Sequence, residues 1–237
     1  MRCPHCGGIN PDNKGTIRCR FCRNLIDTSV SYSANGGVRA NPYFAESVYE
    51  QYGKGVVVID NEFGATGTGC ILDTEGYILT NGHVVYSDKC KVSKHVKVHV
   101  GEHILVGEVV RANRPEGDND VALVKIEPNY SYQALKVGSS RNLKIGQEVV
   151  AIGNSLGLGI SVTKGIISET SMVIQQSKYI LSDVSTNHGN SGGPLFNNDG
   201  EVIALCVAGF DGAKGMNLFI PIDHVKDILS NWGYRVK

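Results

Sequence analysis

The sequence predicts an all-β protein of two barrels with short N- and C-terminal helices, preceded by a small cysteine-rich module. Three observations support this reading. From residue 55 onward, short apolar-rich runs alternate with turns of Gly, Asn, Asp and Pro. These runs fall into two sets on either side of the crossing segment Pro128 to Asn142. Four of the seven cysteines stand in two Cys-x-x-Cys pairs within the first 22 residues. Short strands at close spacing, with no long helical periodicity between them, read as barrels or sandwiches rather than as a parallel sheet.

The elements are justified in order. Residues 1–26 hold Cys3-Pro4-His5-Cys6 and Cys19-Arg20-Phe21-Cys22, two knuckles separated by a short polar loop. Four thiolates at that spacing suit the tetrahedral demands of one Zn2+, so Cys3, Cys6, Cys19 and Cys22 are the expected ligands of a structural zinc ribbon, with His5 outside the set. So short a segment buries too little apolar surface to fold alone, and the metal would supply most of its folding energy. Two disulfides or a redox pair explain the paired knuckles less well. Residues 27–41 are polar and glycine-bearing and read as a flexible linker. Residues 42–237 form the third segment. It opens with a helix from Tyr43 to Tyr52, given by the spacing of Phe44, Val48 and Tyr52 and stopped by Gly53.

A first barrel is expected from Gly55 to Asp60, Gly67 to Asp73, Gly76 to Thr80, His95 to Val100, His103 to Ala112 and Val121 to Glu127. The second takes Gln147 to Gly153, Ile160 to Ser168, Met172 to Gln176, Tyr179 to Ser182, Gly193 to Asn197, Glu201 to Ala208 and Met216 to Ile220. A helix from Ile222 to Trp232 follows. His95, His99 and His103 recur at a spacing of four, which puts them on one strand face. Because valines alternate with Lys and His there, a solvated face explains them better than a metal site.

The chemistry concentrates in three segments. Gly189-Asn190-Ser191-Gly192-Gly193-Pro194-Leu195 can hold a nucleophilic serine and an oxyanion-binding turn in one loop. Such a serine needs a base and a group to orient it. His83 lies in Thr80-Asn81-Gly82-His83-Val84-Val85, where an apolar strand ends and a turn begins. Asp120 leads into the apolar run Val121 to Ile126; Asp118 competes with it but lies deeper in the loop. Ser155, in a second Gly-Asn-Ser triplet without the following Gly-Gly-Pro, is the poorer nucleophile. The order His, Asp, Ser is that of chymotrypsin-like enzymes.

These segments, together with Gly64 to Asp73, Val149 to Asn154, Val162 to Ser168 and Phe219-Ile220-Pro221, resemble the protease domain of the HtrA (Deg) family over roughly residues 42 to 231. The resemblance implies a chymotrypsin-like double β-barrel and a serine endopeptidase of unfolded or partly folded proteins, in quality control or regulatory proteolysis. It makes His83 the base, Asp120 the orienting acid, Ser191 the nucleophile, and the N–H groups of Gly189 and Ser191 the oxyanion donors. No catalytic cofactor is implied. Ser185, Thr186, His188, Cys206 and Val207 would line the primary pocket, which holds no acid and so favours small or medium apolar side chains. Three positions depart from the pattern: the family usually has Asn at Gly82, Pro at His188 and Pro at Ser155. After the last helix the sequence stops at Lys237, so the PDZ domain common in the family is not expected. Trimers through an N-terminal aromatic segment are common in the family, and Tyr43, Phe44, Tyr49 and Tyr52 would serve either in a homotrimer or in packing on their own barrel.

The alternative is a latent or inactive protease-fold scaffold whose ribbon binds a protein or nucleic acid. A formal net charge of zero gives no reason to expect nucleic acid or a membrane as the main partner. Arg2, Lys14, Arg18, Arg20 and Arg23 against Asp12 do leave the ribbon locally basic, and a protein partner for it is possible. Cys70, Cys90 and Cys206 read as free thiols. With no leader ahead of the knuckles and no apolar run of about 18 residues, a cytoplasmic location is expected.

Overall fold

A computed structural model describes residues 3, 16–21, 23, 25–27, 44–128, 131–209 and 215–236. The chain divides into two compact units, Met1–Ser47 and Val48–Lys237. In the first, β1 (Thr16–Arg18) and β2 (Leu25–Asp27) pair antiparallel with Ile17 opposite Ile26. Arg23, at φ 58, closes the turn between them by donating its N–H to the Cys19 carbonyl at 2.8 Å. Asp27, expected to start the linker, ends β2. Residues 28–41 of that linker lie outside the described residues, as do Cys6, Cys22 and His5.

Helix α1 (Phe44–Tyr52) forms where the apolar spacing predicts it, and a 3-10 turn at Gly53–Gly55 leads into the first barrel. The strands are β3 (Val56–Asn61), β4 (Thr66–Ile71), β5 (Tyr77–Thr80), β6 (His95–Val100), β7 (His103–Ala112) and β8 (Ala122–Lys125), closed in the order β3-β4-β5-β8-β7-β6. Alternation drives the closure: Val96 and Val98 of β6 turn into a core with Ile59, Ile71, Ile78 and Val124, while His95 and Lys97 face out. His99 Nε2 lies 2.7 Å from Asp60 Oδ2 on the neighbouring strand. Between β5 and β6 the expected turn is a one-turn helix, α2 (Gly82–Val85).

The second barrel comprises β9 (Glu148–Gly153), β10 (Ser161–Ile174), β11 (Ser177–Ser182), β12 (Pro194–Phe196), β13 (Val202–Gly209) and β14 (Asn217–Pro221), closed as β10-β11-β14-β13-β12-β9. The two strands expected over 160–176 are one, β10. Its register against β11 shifts on both sides of Glu169, whose Oε1 accepts the N–H of Thr170 at 2.8 Å. A bulge bends this strand without ending it. It ends in a tight hairpin at Gln175 and Gln176, both at positive φ, which a sequence lacking Asn-Gly does not announce. Fully buried Phe196 and Phe219 anchor the core, each contributing roughly 1.5–3 kcal/mol by burial. Tyr52 stacks on Phe196 with ring centroids 5.7 Å apart, so this member of the aromatic set packs on its own barrel. Tyr49 is exposed, and Tyr43 lies outside the described residues.

Helix α3 (Ile222–Asn231) buries Ile222, Val225, Ile228 and Leu229. It stops at Gly233 (φ 84), where Tyr234 N–H reaches the Leu229 carbonyl at 2.9 Å, a Schellman closure. Tyr234 then donates its hydroxyl to Asp73 Oδ2 of the first barrel at 2.6 Å.

Candidate functional site

The first barrel presents an acid–base pair. His83 stands on α2, held there by the turn at Asn81-Gly82. Its Nδ1 lies 2.5 Å from Asp120 Oδ2, and its backbone N–H donates to Asp120 Oδ1 at 2.7 Å. Asn81 Nδ2 donates to the Asp120 carbonyl at 2.7 Å. Asp120 is 3 % exposed, whereas the His83 side chain keeps 37 % of its surface, so one carboxylate is sealed and the imidazole still faces solvent. A Cβ on Gly82 would sit 2.4 Å from the Asn113 carbonyl and 2.9 Å from Asp120 Oδ1. That close approach gives the physical reason for glycine where the resembled family has a side chain.

The second barrel presents the serine loop. Gly189 (φ 95) and Gly192 (φ 81) occupy backbone conformations that L side chains avoid. A Cβ would come within 2.1 Å of the Asn154 carbonyl at the first and of Thr80 Oγ1 at the second. Ser191 Oγ donates to the Val207 carbonyl at 2.8 Å. Val207 falls at the register shift between β13 and β14, which turns its carbonyl toward the loop. The His188 carbonyl accepts Leu156 N–H at 2.7 Å; because C=O and N–H of a trans peptide point oppositely, Gly189 N–H is aimed away from Leu156.

One residue that sequence reasoning missed joins the two halves. Thr68, fully buried on β4, donates its N–H to the Ser191 carbonyl at 2.8 Å and its hydroxyl to the Gly189 carbonyl at 2.6 Å. Its Oγ1 also accepts Asn154 N–H at 3.0 Å. A threonine inside a Gly-Thr-Gly-Thr-Gly strand carries no signal of this role, because the partners lie more than 80 residues away.

Of the residues expected to line the primary pocket, Ser185 and His188 are exposed, Thr186 and Val207 are half-buried and Cys206 is buried. Thr186 Oγ1 donates to Asn217 Oδ1 at 2.6 Å, and Thr163 Oγ1 to the Ser185 carbonyl at 2.9 Å. A shallow depression beside the loop is lined by Ala151, Thr163, Asn190 and Cys206 among others; Ser185, Thr186, His188 and Val207 do not contribute to it. No carboxylate lines it. Asp118 does not approach His83's acid position; its carboxylate points to the second barrel.

In the first unit Cys3 and Cys19 are both buried. Cys19 Sγ accepts the N–H of Phe21 at 3.4 Å.

Residues 67–205, more than half of the chain, match the family model described as a trypsin-like peptidase domain. The chain belongs to the trypsin-like peptidase family. It is 41% identical over 169 residues to a probable periplasmic serine endoprotease DegP-like of Halomonas elongata, covering 68% of this chain and 34% of that relative. It is 35% identical to a putative serine protease HhoA of Synechocystis, covering 80% of this chain and 49% of the relative. This trypsin-like peptidase therefore spans about a third to a half of the relatives it matches. Two solved structures share its fold: the serine endoprotease from Yersinia pestis (TM-score 0.66, 29% identity, 78% of this chain and 64% of that one) and the HtrA-type protease AlgW with tripeptide (TM-score 0.71, 27% identity, 80% and 63%). The two six-stranded barrels are thus the chymotrypsin-like fold.

The expected cytoplasmic location is overturned, since relatives from Halomonas and Pseudomonas are named periplasmic. That expectation combined the lack of a leader and of a long apolar run with the free thiols, and the thiols do not carry it. Cys70 and Cys206 are fully buried, and burial pushes both thiols up, Cys206 to about 12, with a smaller opposing effect from Thr186 at Cys206. Sealed, protonated thiols resist oxidation in any compartment, so they do not report on one.

Proposed function

We propose that this trypsin-like peptidase is a serine endopeptidase of the HtrA/DegP type acting on unfolded or partly folded proteins. The observation that carries the proposal is the His83–Asp120 contact at 2.5 Å in one barrel, combined with a serine loop pinned to that barrel by Thr68. Ser191 Oγ leaves the Val207 carbonyl and attacks the peptide carbonyl as its proton passes to His83 Nε2. Asp120 holds the Nδ1–H tautomer and stabilises the imidazolium. His83 returns the proton to the leaving amine, giving an acyl-enzyme that water, activated by His83, hydrolyses. Gly189 and Ser191 N–H groups meet the oxyanion, and loss of one such donor costs about 10²-fold or more. None of Ser185, Thr186, His188, Cys206 and Val207, the residues proposed to line the primary pocket, is an acid, so small or medium apolar side chains suit the cleaved position.

A scaffold reading is less favoured, because a dead site has no use for a sealed carboxylate with both oxygens on one histidine. In the first unit, Cys3, Cys6, Cys19 and Cys22 would hold one Zn2+, which supplies folding energy to a segment too small to fold otherwise. The paired Cys-x-x-Cys spacing supports that ligand set.

The test is casein digestion by the wild type and by Ser191→Ala. Digestion confined to the wild type supports the proposal. Digestion by both, or by neither, overturns it.

A further inference from the structure

Asp118, two residues before the acid of the pair, has a place of its own. The 3-10 turn Gly117–Asn119 leads straight into Asp120, and it docks on the opposite barrel. Asp118 Oδ2 accepts the N–H of Lys178, the second residue of β11, at 2.9 Å. Its Oδ1 lies 3.8 Å from His224 Nε2 on α3, a buried ring nitrogen without a hydrogen-bond partner among the described residues. Gly117 (φ 62) approaches β11 so closely that a Cβ would stand 2.2 Å from Ser177 Oγ. The neighbouring phenol of Tyr179 is pushed up, mainly by burial and further by the charges of both Asp118 and Asp120, opposed by a bond from Ser177. Two elements of the second barrel's side, β11 and α3, therefore converge on the turn that carries the first barrel's acid.

This matters because the reacting groups are split between barrels. His83 and Asp120 move with the first, Ser191 with the second. The Thr68 contacts fix the serine loop to the first barrel. The described cross-barrel hydrogen bond nearest Asp120 in sequence is that of Asp118.

We propose that Asp118 is a positioning residue, which clips the Asp120 turn to Lys178 and faces His224, and so sets the His83–Asp120 pair in register with Ser191. The proposal rests on the endopeptidase reading above. It separates Asp118 from the role of rival acid: the carboxylate acts on geometry, not on the imidazole. A misplacement of about 1 Å between reacting groups costs on the order of 10²-fold, so loss of one of several registering contacts should cost about tenfold.

The experiment compares wild type, Asp118→Ala, Asp118→Asn and Gly117→Ala on a fluorogenic peptide, with kcat normalised to sites titrated by a fluorophosphonate and Tm recorded for each. Asp118→Ala should lower kcat per titrated site about tenfold at unchanged KM. Asp118→Asn, whose amide oxygen still accepts Lys178 N–H, should retain most of it. Gly117→Ala, which forces the turn off Ser177 without touching the carboxylate, should reproduce the loss if Asp118→Ala does not fold. Equal kcat in all four overturns the inference while leaving the peptidase intact, as does an Asp118→Asn loss as large as that of Asp118→Ala. A wild type that neither labels nor cleaves overturns the endopeptidase reading and this inference with it.

Discussion

The two barrels hold their parts of the site by different means. In the first, the pair is fixed by side-chain bonds within one neighbourhood: both Asp120 oxygens meet His83, and Asn81 secures the Asp120 carbonyl. In the second, the serine loop is held by main chain. Gly192 N–H reaches the Cys206 carbonyl at 2.9 Å, Cys206 N–H returns to Gly193 at 2.9 Å, and Gly193 N–H closes on Asn190 at 2.9 Å. From the other barrel it is also held by Thr68 and by Cys70, whose Sγ donates to the Gly192 carbonyl at 3.6 Å. The His83–Asp120 pair is thus a local property of one barrel, and the position of Ser191 is a property of the seam.

That contrast can be broken at graded cost. Asp120→Asn keeps the shape but presents an amide to Nδ1, which favours the wrong tautomer; activity should fall about 10⁴-fold. Unchanged circular dichroism with that loss, read on a peptide substrate, would sharpen the claim that the pair is local, while a small loss would break it. Thr68→Val removes one hydroxyl from the seam and leaves the Gly189 carbonyl and Asn154 N–H unpaired in the interior. We expect about 1–3 kcal/mol of lost stability in denaturant titration and a fall in kcat on the order of 10²-fold as the serine loop shifts. Thr68→Ser should restore both; failure to do so would mean that the hydroxyl is not what joins the barrels. The Asp118 clip stands last, at about tenfold, because it registers the pair from its far side.

How far the sequence discloses this depends on the range of each determinant. The bounds of β6 and β7 coincide with expectation because Val96 and Val98 alternate with His95 and Lys97, a signal contained within the strand. The three chemical segments are legible because glycine turns and apolar runs flank them. Gly189 and Gly192 prove to sit at positive φ against carbonyl or hydroxyl neighbours, the close approach their residue type suggests. The bulge at Glu169 and the one at Val207 are invisible in sequence, since a bulge is defined by the partner strand. Thr68 escapes notice for the same reason: its partners, Gly189, Ser191 and Asn154, belong to the other barrel. Asp118 is visible only as a competitor for Asp120, and its carboxylate direction needs the fold. Burial accounts for Cys70 and Cys206 but not for the exposed Cys90, and it is the periplasmic relatives that overturn the location.

The central claim is that a base built into the first barrel activates a serine held in the second. It is tested most directly by the rate of fluorophosphonate labelling, with peptide mapping of the adduct, in the wild type, His83→Ala and Ser191→Ala. The account predicts rapid labelling at Ser191 in the wild type and labelling slowed by several orders of magnitude or abolished in both variants. An adduct on another residue, or equal labelling of Ser191 without His83, would contradict it.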